Sequence, residues 1–226
     1  MDARASGRDP VRTLDRQGGT CRGDDRGCGR QAGLKVGRAR GTVALTVGAG
    51  VVLAVLGWWR FRESGPAETV LYVALFLVLL ALSIIDLREY RLPDRIVLPS
   101  IAIGMASLSV LSVVNDTFDR LQFAFIGALV YFGVLLVAHL VSPRGMGFGD
   151  VKLAVLLGLA VGWLGTDMTE SVRLVLWAML LGFASGSIAG IVLLVIRRRN
   201  VPFPFGPFLA FGTIATVLFS ASLIGS

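Results

Sequence analysis

Cysteine is nearly absent. The 226-residue chain holds two, Cys21 and Cys28, both near its N-terminus. A zinc site asks for four ligands, commonly as two C-x-x-C pairs, and this spacing supplies neither pair. Two reduced cytosolic thiols are the reading, and no metal or cofactor is expected. Charge is scarce as well. Only 16% of residues are Asp, Glu, Lys or Arg, against 54% hydrophobic, and the mean hydropathy is +0.74. A soluble domain cannot hide that much apolar surface, so the membrane is the expected solvent. The chain also lacks internal repeats, a Rossmann glycine pattern and a P-loop, and nothing in it points to nucleic acid.

Large apolar residues are scarce in one region, residues 1–40. That stretch carries ten Lys/Arg and five Asp. It cannot bury enough surface to fold, which predicts a disordered basic tail. It is too long and too charged for the start of a signal peptide, and no small-residue cleavage site follows. A basic tail of this kind can lean on anionic lipid.

The remainder, residues 41–226, reads as one transmembrane domain. A spanning helix takes about 20 apolar residues, and seven segments qualify or come close: Thr42–Trp59, Thr69–Asp86, Ile96–Val114, Leu121–Ser142, Val151–Gly165, Val172–Ile196 and Phe205–Gly225. The connections are short. The expected fold is an all-α polytopic bundle of about seven spans. With the N-terminus in the cytoplasm, the inner turns hold Arg88, Arg91, Arg95, Arg144, Lys152, Arg197, Arg198 and Arg199. The outer turns hold Arg60, Arg62, Arg120 and Arg173, beside Glu63, Glu68, Asp116, Asp119, Asp167 and Glu170. Basic loops stay inside, so the N-terminus is expected in the cytoplasm.

Two carboxylates stand out on that inner face. In "LSIIDLREYRLPDR", Asp86 ends an apolar run, and Pro93 disfavours helix at Leu92. In "RGMGFGDVKL", Asp150 opens an apolar segment behind Gly145, Gly147 and Gly149. Those glycines permit tight backbone and close approach of another chain. The Val151–Gly165 segment is only ~22 Å long as a helix, short of a ~30 Å core, and the glycine run could dip inward to make up the difference. Each aspartate alone has a plain explanation. Asp150 complements a helix dipole, and Asp86 is solvated beside Arg88. Together they suggest a pair. Carboxylates held close do not both ionise easily. One then serves as general base for water while the other, protonated, polarises a carbonyl.

"DLREYRLPD" resembles the first aspartate motif of the prepilin peptidases, the bacterial type IV leader peptidases. "GMGFGDVKL" is similar to their second, a GxGD sequence followed by Lys-Leu, an element shared with preflagellin peptidases and presenilin-type intramembrane proteases. "VPFPFGPFLAFG", Val201–Gly212, resembles the family's proline-rich C-terminal segment. The resemblance covers roughly residues 70–225. It implies that Asp86 and Asp150 are the catalytic pair of an intramembrane aspartic endopeptidase, with Gly147 and Gly149 as motif glycines. It also implies cleavage of a short basic leader from prepilin or pseudopilin precursors at the cytoplasmic face of the bacterial inner membrane. Pilins, tight-adherence pilins, competence pseudopilins and secretion pseudopilins all fit, and the sequence carries no signal for an oligomeric state. Larger family members also methylate the new N-terminus and carry two C-x-x-C pairs after the first membrane helix. Here only "RFRESGPAE" joins the first two spans, so no methyltransferase activity is expected.

Around this pair, Lys152 either orients Asp150 and meets substrate or snorkels to the interface. Pro207, with Pro202 and Pro204, either holds an unwound segment against substrate or starts the last helix. Asp94 reads as a turn or cap residue and His139 as a solvated helix-end residue. Trp58 and Trp59 read as interfacial belt residues, and "GFASGSIAG", Gly182–Gly190, as close helix packing. Readings from other classes are a transporter or proton relay and an inactive assembly scaffold. Transporters often show internal repeats, and none is visible.

The loop charges carry their own test. In a background without Cys21 and Cys28, single cysteines at Arg91 and Arg144 are expected to resist an impermeant thiol reagent in intact cells. They should react once the membrane is opened, and cysteines at Asp116 and Thr169 should react from outside throughout. Labelling of the first two in intact cells means an inverted topology.

Overall fold

In hydrocarbon a backbone must satisfy its own hydrogen bonds, so each apolar segment of this chain is driven toward helix. The computed structural model describes residues 13–14, 20–21, 45–89, 92–142, 147–197 and 204–224. Two compact units result, Met1–Gly48 and Ala49–Ser226. Within the first, β1 (Thr13–Leu14) pairs antiparallel with β2 (Thr20–Cys21).

The apolar helices are α1 (Leu45–Phe61), α2 (Pro66–Glu89), α3 (Asp94–Val114), α4 (Phe118–Val141), α5 (Phe148–Gly162), α6 (Met168–Arg197) and α7 (Gly206–Ile224). They match the seven segments expected from the sequence, and the protein is an all-α polytopic membrane bundle. By length and composition, α2, α3, α4 and the Met168–Leu193 part of α6 are sufficient to cross a membrane, while α1 and the Gly206–Ser220 part of α7 are shorter. Local chemistry sets the breaks. Gly65 turns the chain between α1 and α2 at φ +120°, a conformation costly for any side chain. Asp116 takes φ +50° between α3 and α4, where aspartate is one of the tolerated residues. Pro93 adopts extended backbone and caps the start of α3.

α5 has 15 residues, and eleven of them are buried, from Asp150 to Gly162. Its shortness has a simple physical basis: a helix wrapped by other helices need not match the thickness of the bilayer. It packs against α3, α4, α6 and α7. The closest approach is to α4. A methyl group on Gly158 would stand 2.4 Å from the Gly127 carbonyl oxygen, and one on Gly162 would stand 2.6 Å from that of Phe123. These glycines, four apart on α5, let two backbones touch, a pairing that the sequence reading did not single out. The expected small-residue contact on α6 is present in part. Gly182 meets Leu209 of α7 and Gly186 meets the Phe205 ring, while Gly190 faces open space.

A polar brace ties α2 to α5 at the end far from Asp86 and Asp150. Tyr72 donates to the Ala160 carbonyl at 2.7 Å, and the Trp163 indole donates to Glu68 at 3.4 Å. Arg120 of α4 pairs with the same Glu68 oxygen at 3.5 Å. Glu68 was expected in an outer turn. It lies instead in the first turn of α2, buried, because the helix begins at Pro66 rather than Thr69.

Gly158→Ala must push α5 off α4. Overpacking of this kind costs about 1–3 kcal/mol, so a clear fall in thermal unfolding temperature in detergent is expected. Gly190→Ala, which meets nothing, should unfold with the parent protein.

Candidate active site

Asp86 comes from the last described turn of α2, which is described to Glu89. Asp150 comes from the first turn of α5. Gly147 is the N-cap of that helix, with φ −69° and ψ 142°. Asp150 is the third helical residue, and its carboxylate takes a hydrogen bond from the Gly147 backbone. A side chain at this position reaching back to the N-cap amide is half of a capping box. The aspartate therefore helps to start the helix that carries it.

Both carboxylates are buried, Asp86 at 5% exposure and Asp150 at 6%. Gly206, the first residue of α7, sits between them. Its backbone N–H donates to Asp86 Oδ2 at 3.1 Å. A methyl group placed on Gly206 would stand 2.8 Å from that oxygen and 3.4 Å from Asp150 Oδ1. The two oxygens are thus no farther apart than the sum of those distances. Asp150 Oδ1 is buried and has no hydrogen-bond partner among the described residues. The ends of three helices, α2, α5 and α7, meet at this pair.

The motif glycines divide their work. Gly147 is ordinary extended backbone, so its freedom of φ is not used there. Gly149 is a close-approach position: a methyl group on it would meet Leu92 Cβ at 2.8 Å. That contact lays the connection after α2 against the start of α5. Gly145 lies outside the described residues, as do Pro202 and the proposed inward dip over residues 143–146. Lys152 donates to Asp94 Oδ2 at 2.7 Å and lies 5.3 Å from the centre of the Phe148 ring. Asp94 is the first residue of α3 rather than its cap, because Pro93 occupies that position and no side chain caps the helix. His139 packs on Phe148, ring centres 5.5 Å apart. Trp58 and Trp59 are exposed.

Pro207 lies beside Gly206 at the start of α7. The sequence reading drew Pro207 from this stretch and missed Gly206, which touches both carboxylates. The available signal was a glycine wedged between Pro204 and Pro207 at the head of an apolar helix.

The fold and this site define a polytopic membrane protein with a buried carboxylate pair at the ends of two helices. A model of the type IV leader peptidase family matches residues 73–195, and the chain belongs to that family. The matched segment takes in Asp86, Gly147, Gly149, Asp150 and Lys152 and stops short of Gly206 and Pro207. The chain is similar to the prepilin leader peptidase/N-methyltransferase of Pseudomonas putida, 32% identical over 80% of this chain and 59% of that protein. The protein of the same name from Aeromonas hydrophila is 32% identical over 80% of this chain and 57% of its own length. The one from Pseudomonas aeruginosa is 35% identical over 67% and 49%. The chain thus spans about half to three-fifths of these relatives. No solved structure matches it.

The Lys152–Asp94 pair is open to solvent, with Asp94 56% exposed. Exposed pairs are worth about 0–1 kcal/mol. A double-mutant cycle of Lys152→Met and Asp94→Asn in thermal unfolding should give a coupling within that range. A much larger coupling assigns the pair a structural role beyond a surface tie.

Proposed function

We propose that this protein is an aspartic endopeptidase that removes the short basic leader from prepilin or pseudopilin precursors. The observation that carries the reading is the burial of two carboxylates, both within the family's matched segment, against one glycine that lies beyond it. One carboxylate takes a proton from water, and the water oxygen attacks the scissile carbonyl carbon. The other gives its proton to the carbonyl oxygen, forming a neutral gem-diol. Collapse breaks the C–N bond. The amine leaves with the proton taken from water, and a diol hydroxyl returns the second proton to the other carboxylate. No covalent enzyme intermediate forms.

Cleavage at the cytoplasmic face of the bacterial inner membrane belongs to this reading. The basic residues of the adjoining loops support it, as does the position of both aspartates at helix ends, where water can reach a boundary site. A leader that is polar and basic stays inside while the following apolar helix inserts. Membrane lipid surrounds the enzyme and its substrate alike. The relatives' names include N-methyltransferase, but this chain joins α1 to α2 by only four residues, Arg62 to Gly65. We therefore propose that it cleaves without methylating.

Asp86→Asn and Asp150→Asn are each expected to abolish cleavage of a pilin-like precursor by membranes containing this chain, with insertion intact. Activity is expected to fall by about 100- to 10,000-fold if each carboxylate is an acid or base of the reaction. Normal processing by either variant would falsify the dyad assignment. A proton relay or inactive scaffold predicts no cleavage by the parent chain.

A further inference from the structure

The two carboxylates are not equivalent, and the difference lies in what α7 presents to them. The first N–H groups of a helix have no partner inside it, and Pro207 contributes none. The Gly206 N–H is therefore free to point outward, and it points at Asp86 Oδ2. Asp150 Oδ1 faces the same glycine with no hydrogen-bond partner among the described residues. A buried carboxylate oxygen without a donor is costly as an anion and far less so as a hydroxyl.

Resting on the peptidase reading, we infer that Gly206 is the positioning residue that divides the labour. Its N–H holds Asp86 as the ionised base, and its missing side chain keeps open the gap into which Asp150 Oδ1 delivers its proton. Asp86 deprotonates the attacking water, and Asp150 protonates the substrate carbonyl. When the C–N bond breaks, the proton on Asp86 goes to the leaving amine and Asp150 regains one from the diol. Any side chain at residue 206 intrudes between the two. A carbon 2.8 Å from a carboxylate oxygen lies well inside van der Waals contact, so one group must move. Misplacement of a reacting group by about 1 Å costs on the order of 100-fold in rate.

Two changes separate the roles of hydrogen bond and space. Replacing Gly206 with glycolic acid, a backbone ester, removes the N–H and adds no bulk. Gly206→Ala keeps the N–H and adds a methyl group. Full-length protein in lipid is assayed on a pilin-like precursor, with Asp86→Asn and Asp150→Asn alongside. The ester is expected to lower kcat at least about tenfold, the scale of one hydrogen bond to a charged group. Gly206→Ala should lower it roughly 100-fold. KM should stay within about twofold for the ester, which adds no atom that could touch substrate. A purely structural role would instead move KM or the unfolding temperature. If Gly206→Ala fails to fold, the ester decides. An ester with parental kcat overturns the inference. If the aspartate variants are then still inactive, the peptidase reading stands without it. A parent chain that cleaves nothing overturns both.

Discussion

Everything in this bundle depends on keeping two carboxylates buried side by side in a chain that is mostly hydrocarbon. A lone buried charge is prohibitively costly, and two neighbouring ones more so. The protein meets this by bringing backbone amides to the pair. The Gly147 N–H serves Asp150 from within its own helix, and the Gly206 N–H serves Asp86 from another. The second contact is the demanding one. It requires α2 and α7, 120 residues apart in sequence, to meet with α5 at one point.

That requirement explains features that look unrelated. α2 and α5 are fixed relative to each other at both ends. At one end the Tyr72–Ala160 and Trp163–Glu68 bonds hold them. At the other, Gly149 lies against Leu92 in the connection that follows α2. Two fixed ends leave little freedom for sliding, so the separation of the carboxylates is set by the bundle and not by either side chain alone. α7 is held in turn by α6, where a methyl group on Gly212 would stand 2.4 Å from the Ala178 carbonyl oxygen.

How much of this was legible in the sequence follows the same division. The helices were legible because apolar runs bounded by Pro93, by Gly65 and by the Gly147–Gly149 stretch leave little choice. Asp86 and Asp150 were legible because a carboxylate at the edge of an apolar run is unusual enough to ask for a reason. Lys152 carried two readings, and its partner was legible in neither, since Asp94 is 58 residues away. The place of Gly206 between Pro204 and Pro207 was visible, but its role was illegible for a deeper reason. Its contribution is an N–H that nearly every residue has and a side chain that is absent. Neither leaves a mark in composition or hydropathy. Glu68 was misplaced because loop charges were counted by position along the chain, and burial reverses the meaning of a charge.

The glycines finally explain why an apolar chain opens a membrane segment with a carboxylate. Among the described residues a methyl group would meet other atoms within 3 Å at eight glycines, Gly127, Gly165 and Gly186 and the five positions Gly149, Gly158, Gly162, Gly206 and Gly212. The last five lie on α5 and α7, the two helices whose first turns face the pair. Close backbone approach is what lets α5 be short and enclosed. Enclosure in turn lets its N-terminus, with Asp150, stop inside the protein. A bulkier α5 would stand off from α4, lengthen its exposure to lipid and leave the carboxylate unsupported. Space removed from the helices and charge placed at their ends are therefore one structural solution.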